Sequence, residues 1–334
     1  MASTLDNDPI AFRIGQIDAL ARTMLASSTL FSPEMRHSLA LRWLRRAWHQ
    51  YRTDRGINTG ESLVGVDACA ERNAFLGLLE TALPSPQSPL MGAVTTVRKI
   101  ALKPMAHEAQ HTRRIIADSQ VELDRVLEAF EDARLPNAPL ERLLWLVSRF
   151  QYTTDIRSDA LTATSSTPCW AINLAIATDA SRLNIAGSAL PCPGAVQRRL
   201  FRGDRDRSEQ RLAAFDNLTN ALHDLACDIV ITQRANSSFD HEFPAQRSNS
   251  RLRQCWLLLF GLQHLTPSQL ARGVGVTKAG AAKLLKELEK AHIAHSQGNF
   301  MGYACSIKFP VAFPDWRASA DEHEDLSSAA NHAH

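Results

Sequence analysis

Apolar residues recur at spacings of three and four along most of the chain, and strand-like patterning is confined to a short stretch near its end. The pattern predicts a mainly α protein. Ser32, Pro33 and Glu34 stand as N-cap, first-turn proline and first-turn acid, and open a helix to about Tyr51. Leu39, Trp43, Leu44, Ala47 and Trp48 share one face of it. Arg42, Arg45, Arg46 and Arg52 lie on the other, which reads as solvated surface. Further helices are predicted over about 62–83, about 105–134 and from Pro139 through Phe150. Residues 152–168 are polar and Thr-rich and read as a loop. The apolar run 169–180 is ambiguous, and 181–193 is irregular.

An arginine-rich stretch over 197–211 leads into a long predicted helix, 208–234. Phe215, Leu218, Leu222, Leu225 and Ile229 alternate at spacings of three and four before the polar Thr232. Two arrangements fit such a seam: a short coiled coil between two chains, or one helix laid on its own core. Its brevity favours the second, yet this helix is the candidate interface of a homodimer. Residues 236–249 are polar and read as a linker.

Residues 249–307 carry the most specific pattern. Asn249 or Ser250 can cap a helix bearing Leu252, Trp256, Leu257, Leu259 and Phe260, ended by Gly261. Thr266, Pro267, Ser268 and Gln269 then form a capping box with proline in the first turn, opening a short helix to Arg272. Gly273, Val274 and Gly275 turn the chain, Gly275 supplying a positive φ, and Thr277 caps a third helix from Lys278 to about His292. Leu270, Val274, Val276, Ala281, Leu284, Leu285 and Leu288 are the positions that paired helices must bury. Thr277, Lys278, Ala282, Lys283 and Lys286 are left over, and that is the face a recognition helix turns toward the major groove. Lysines and a hydroxyl suit phosphates and guanine edges. Ile293 to His295 begins a β-ribbon, Gln297, Gly298 and Asn299 turn it, and 300–307 returns as the second strand of a wing.

Charge sharpens this picture. The chain of 334 residues carries a net +2, but 245–310 holds nine Lys or Arg against two acids, a net +7. A compact basic segment on a near-neutral chain is a footprint for a polyanion, and Arg251 and Arg253 join the lysines as candidate DNA contacts. Past Pro310 the sign reverses, with Asp315, Asp321, Glu322, Glu324 and Asp325 against Arg317, and 311–334 reads as a disordered acidic tail.

Composition excludes other classes. Forty-five per cent hydrophobic and 22% charged residues are wrong for a disordered chain. No uninterrupted apolar window approaches membrane-spanning length, and the first residues have neither the basic nor the apolar region of a secretory signal, so a cytoplasmic, nucleoid-associated protein without a membrane partner is expected. The six cysteines form no C-x-x-C pair and read as reduced thiols.

The C-terminal third resembles a bacterial, largely alphaproteobacterial and plasmid-associated family of helix-turn-helix proteins of otherwise unknown function. The resemblance rests on Asp204 to Arg207 leading to Leu212 to Phe215, on Arg247 to Leu252, and on Leu270 to Thr277 followed by Ala281 and Leu284. It covers about 198–307 and implies DNA binding by the last domain, with no reaction or ligand for the first two hundred residues. The family's wing is arginine-rich, whereas 298–303 here has no basic residue.

A rival motif, His107, Glu108 and His111, fits H-E-x-x-H on a predicted helix, where both imidazoles share a face and could bind zinc beside a glutamate base. Thr112, Arg113 and Arg114 follow where a metalloprotease helix is apolar, and Glu122 and Glu128 are candidate third ligands that nothing singles out. His223 and Asp224 read as surface residues rather than a dyad. Trp43, Trp48, Trp145 and Trp170 read as core, or else as the walls of an effector pocket.

The expected organisation is an all-α domain over 1–196, a connector with a long helix over 197–248, a winged helix-turn-helix over 249–310 and a tail over 311–334. The expected function is sequence-specific binding of double-stranded DNA in transcriptional control, without catalytic residue or cofactor. The alternatives are a plasmid maintenance or partition factor and a zinc-dependent hydrolase.

Overall fold

The computed structural model describes residues 7–20, 31–57, 62–65, 69–83, 89–101, 105–151, 168–184, 194–203, 206–247, 250–297 and 302–306. Residues 152–167 of the predicted loop, Gly298 and Asn299 of the predicted turn, and the predicted acidic tail lie outside them. The protein is mainly α. In chain order the helices are α1 (Asn7–Leu20), α2 (Pro33–Arg55), α3 (Ala70–Ala82), α4 (Pro89–Ile100), α5 (Ala106–Phe130), α6 (Pro139–Arg149), α7 (Cys169–Thr178), α8 (Arg207–Glu242), α9 (Arg251–Leu262), α10 (Pro267–Val274) and α11 (Lys278–Lys290). Three short strands are β1 (His264–Leu265), β2 (Ala294–Gln297) and β3 (Gly302–Cys305).

Helix α2 starts where its capping residues demand. The Ser32 side chain accepts from the Met35 amide, Pro33 occupies the first turn, and Gly56 ends the helix at φ 64°. It is the central rod, packed against α4, α7, α8 and α9. Burial of Leu39, Leu41, Trp43, Leu44, Trp48 and Tyr51 removes most of its circumference from water. Its arginine face is therefore not solvated surface. Arg42 is 8% exposed and is held by Asp228 on α8.

Helix α8 runs for 36 residues, about 54 Å, with no glycine or proline to stop it. It absorbs 236–242, expected as linker, because Phe239 is buried and Arg253 of α9 bonds Asn236 and Asp240. Leu218, Leu222, Leu225 and Ile229 are buried against α1, α2 and α6 of the same chain. The apolar stripe expected as a candidate dimer seam over 208–234 is thus mostly covered within the chain, with Phe215 partly buried.

Helix α7, ambiguous in sequence, is buried on all sides, which is why its apolar pattern shows no period. Helix α4 shows how a short helix goes unread: it follows Pro84 and Pro86, opens on Pro89 and buries only Leu90, Ala93, Val94, Val97 and Ile100. The predicted helix over 62–83 is a turn at 62–65 followed by α3.

The last segment runs helix, strand, helix, helix, strand, strand. β3 is the middle strand, antiparallel to both neighbours, with His264 opposite Ala304 and Ala294 opposite Cys305. It does not stand apart from the helical body, and one hydrophobic core runs from Ile10 to Ala294. Helix α9 lies on α2 so closely that a Cβ on Gly261 would sit 2.9 Å from Leu41 Cβ and 3.0 Å from the Ser38 carbonyl. Gly261 is thus a contact inside the helix, not the stop expected from sequence. Ser38 donates to the Leu257 carbonyl at 2.6 Å, and Arg272 of α10 donates to the Ile100 carbonyl at the end of α4.

Candidate nucleic-acid interface

Local chemistry positions α10 and α11. The Thr266 amide donates to Gln269 Oε1 at 2.8 Å while the Gln269 amide donates to Thr266 Oγ1 at 3.2 Å, the reciprocal box expected from sequence. The Gln269 side chain also donates to the Val64 carbonyl. Gly275 adopts φ 74°, a left-handed conformation that releases the chain toward α11. Thr277 Oγ1 caps α11 by accepting from the Gly280 amide at 3.1 Å, which leaves its O–H free to donate outward.

Helix α11 buries Ala281, Leu285 and Leu288 and rests Leu284 on the core. Thr277, Lys278, Lys283 and Lys286 are exposed, with Ala282 half-buried among them. Among the described residues no ion pair involves these lysines. Lys278, Ala282 and Lys286 follow at i, i+4 and i+8, so they line one face with Lys283 beside them. The first turn of the helix carries no acid. Glu289, on the same helix, accepts from the Ser296 amide at 3.1 Å and thereby ties α11 to β2.

The two arginines expected to join this face are placed elsewhere. Arg253 is 9% exposed, bonds Asn236 at 2.7 Å, pairs with Asp240 and sits 4.9 Å over the Phe239 ring. It clamps α9 to the end of α8 and cannot also hold a phosphate. Arg251 is exposed, but its guanidinium donates to the Val274 carbonyl at 3.0 Å and to Gln254 at 2.9 Å. It closes the C-terminal end of α10.

The zinc reading finds no site among the described residues, where no group of three His, Cys, Asp or Glu could hold a metal. The Glu108 carboxylate accepts from the Met105 amide at 2.9 Å, so it caps α5 rather than facing a metal. His107 is exposed, and His111 lies 4.0 Å from Glu71. Glu122 accepts from Trp170 Nε1 at 2.7 Å, and burial pushes its carboxyl up. Trp48, Tyr51, Phe75 and Trp170 pack as an aromatic cluster with ring centroids 5.1–6.0 Å apart. Trp43 is buried and Trp145 is partly so.

What sequence reasoning missed is the arginine cluster between α2 and α8. Asp228, 1% exposed, accepts from Arg42 at 2.8 and 3.1 Å and from Arg46 at 3.0 and 3.2 Å. Asp224, a half-exposed residue at the surface as expected, accepts from Arg46 at 2.6 Å. The signal was Asp228, set between the apolar Leu225 and Ile229 of the α8 stripe, where a buried carboxylate needs a partner.

No protein-family model, no curated protein and no solved structure matches this chain. No described helix is long and apolar enough to cross a membrane.

Proposed function

We propose that the protein binds double-stranded DNA in a sequence-specific manner and acts in transcriptional control within the nucleoid. In this reading residues 250–306 form a winged helix-turn-helix: α9, α10 and α11 are its helices, β2 and β3 its wing. Helix α11 enters the major groove. The observation that carries the reading is the outward face of α11, where Lys278, Lys283 and Lys286 are exposed and take no carboxylate among the described residues. The order of elements and the register of the small sheet support it. Thr277 and the lysines contact phosphates and base edges, while the small Ala279, Gly280 and Ala282 let the backbone approach. Arg253 takes no part, and Arg251 stabilises the turn between the helices.

The test is selection of bound duplexes from a random or genomic pool, followed by gel-shift of the winners with the Lys278→Ala/Lys283→Ala variant. Wild-type protein should enrich a defined sequence, and the variant should lose at least tenfold in affinity with an unchanged circular dichroism spectrum. Equal binding by the variant would overturn the reading.

A further inference from the structure

A cleft of about 410 Å³ opens between α2 and the junction of α9 with β1. Arg45, Arg46 and His49 line it from α2, Ser62 from the turn after α2, and Gln263 and His264 from the junction. Its volume falls in the range of about 300–1,000 Å³ common for small-molecule sites. We propose that this cleft binds a small dianionic oxyanion, a dicarboxylate or a phosphate monoester, with Arg45 as the principal ligand.

The cleft holds an arginine that bonds no carboxylate among the described residues. Three arginines crowd one stretch of α2. Asp228 and Asp224 take up every short contact of Arg42 and Arg46. Arg45 makes no hydrogen bond or ion pair among the described residues, although it is only partly exposed. Burial and the neighbouring Arg42 and Arg46 push its pKa down to about 10, with Asp228 opposing them. It stays charged at neutral pH, beside the cleft, and no described carboxylate bonds it. Arginine presents a planar fork matched to two oxygens of a carboxylate or phosphate.

The opposite wall suits the same ligand. His264 is held below its usual pKa by burial and then by the Arg45 charge, so an arriving anion would raise it and gain a second cationic donor. Ser62 can donate from its hydroxyl. Gln263 holds φ 70° in a conformation that glycine tolerates best, which brings the end of α9 round to the cleft. Among the described residues that line the cleft there is no Asp or Glu. The occupant would bridge the central helix to the edge strand of the small sheet, since β1 pairs directly with β3.

The site goes beyond the DNA-binding reading and is tested without DNA, so either can fail alone. Inorganic phosphate and succinate are titrated separately into the full chain by calorimetry, at ionic strength held constant with chloride. One of them should bind saturably at one site per chain and raise the melting temperature. Arg45→Gln should weaken that binding at least tenfold and His264→Gln several-fold, while Arg113→Gln, on the exposed side of α5, leaves it unchanged. Since Arg45 makes no bond among the described residues, its variant should melt normally without ligand. Saturable binding of neither anion, or full binding by Arg45→Gln, overturns the proposal.

Discussion

Arg42 of α2 and Asp228 of α8, 186 residues apart in sequence, meet in a buried ion pair with guanidinium contacts of 3.1 and 2.8 Å to a single carboxylate oxygen. The other oxygen serves Arg46. Removing Asp228 would strand the Arg42 charge at a site 9% exposed. Asp228→Ala should therefore cost about 3–5 kcal/mol, read as the shift in a urea unfolding curve. A loss below 1 kcal/mol would mean that water reaches the pair.

Gly261 tests the closeness of α9 to α2. An alanine Cβ there meets Leu41 Cβ at 2.9 Å and the Ser38 backbone carbonyl at 3.0 Å, and the carbonyl cannot swing aside. Gly261→Ala should destabilise by about 1–3 kcal/mol despite alanine's better helix propensity. Thermal melts of the two proteins decide it.

Arg253 and Lys286 should behave in opposite ways. Arg253→Ala leaves Asp240 and Asn236 without their partner and uncovers Phe239, so it should lower the melting temperature. Lys286→Ala should leave the melting temperature unchanged, weaken DNA binding and reduce the slope of log affinity against log salt by about 1. Gel-shifts over a salt series, paired with melts, separate the two.

Asp54 predicts a pH dependence. Burial raises its pKa from 3.8 to about 6, against donation from Asn173, Gln50 and Cys169. The folded state therefore holds a proton that the unfolded state has released. Stability from this group is full below about pH 4 and falls as pH rises to about 6. Asp54→Asn should flatten that limb of the curve and leave the protein more stable near neutrality, measured by denaturant unfolding across pH 4–8. An unchanged slope would place the charge in water.

Glu108 should act as a helix cap. Glu108→Ala should cost about 1 kcal/mol or less, and the purified protein should carry less than stoichiometric zinc before and after the change. Zinc at one equivalent, lost in His111→Ala, would contradict this.

Features that depend on near neighbours in the chain were legible from the start. The capping box of Thr266 and Gln269, the positive φ of Gly275, the cap at Thr277 and the split of α11 into an apolar and a lysine face involve residues within a few positions of one another. So do the Ser32 cap of α2 and the strands β2 and β3. β1 was not legible, because two residues show no alternation, and its strand character comes from β3. The buried glycine of α9 looked like a stop because nothing nearby reveals that another helix passes over it.

Amino-acid order alone determined that the chain is mainly helical, where most helices begin, and which side of α11 is polar, since these follow from backbone hydrogen bonding and side-chain period. Tertiary structure decided which charges face water. Arg42 and Arg253 became internal clamps, the α8 stripe went to the chain's own core, and Arg45 was left beside an open cleft. An arginine on a helix reads the same whether water or a distant aspartate surrounds it, and only long-range packing brings that aspartate near.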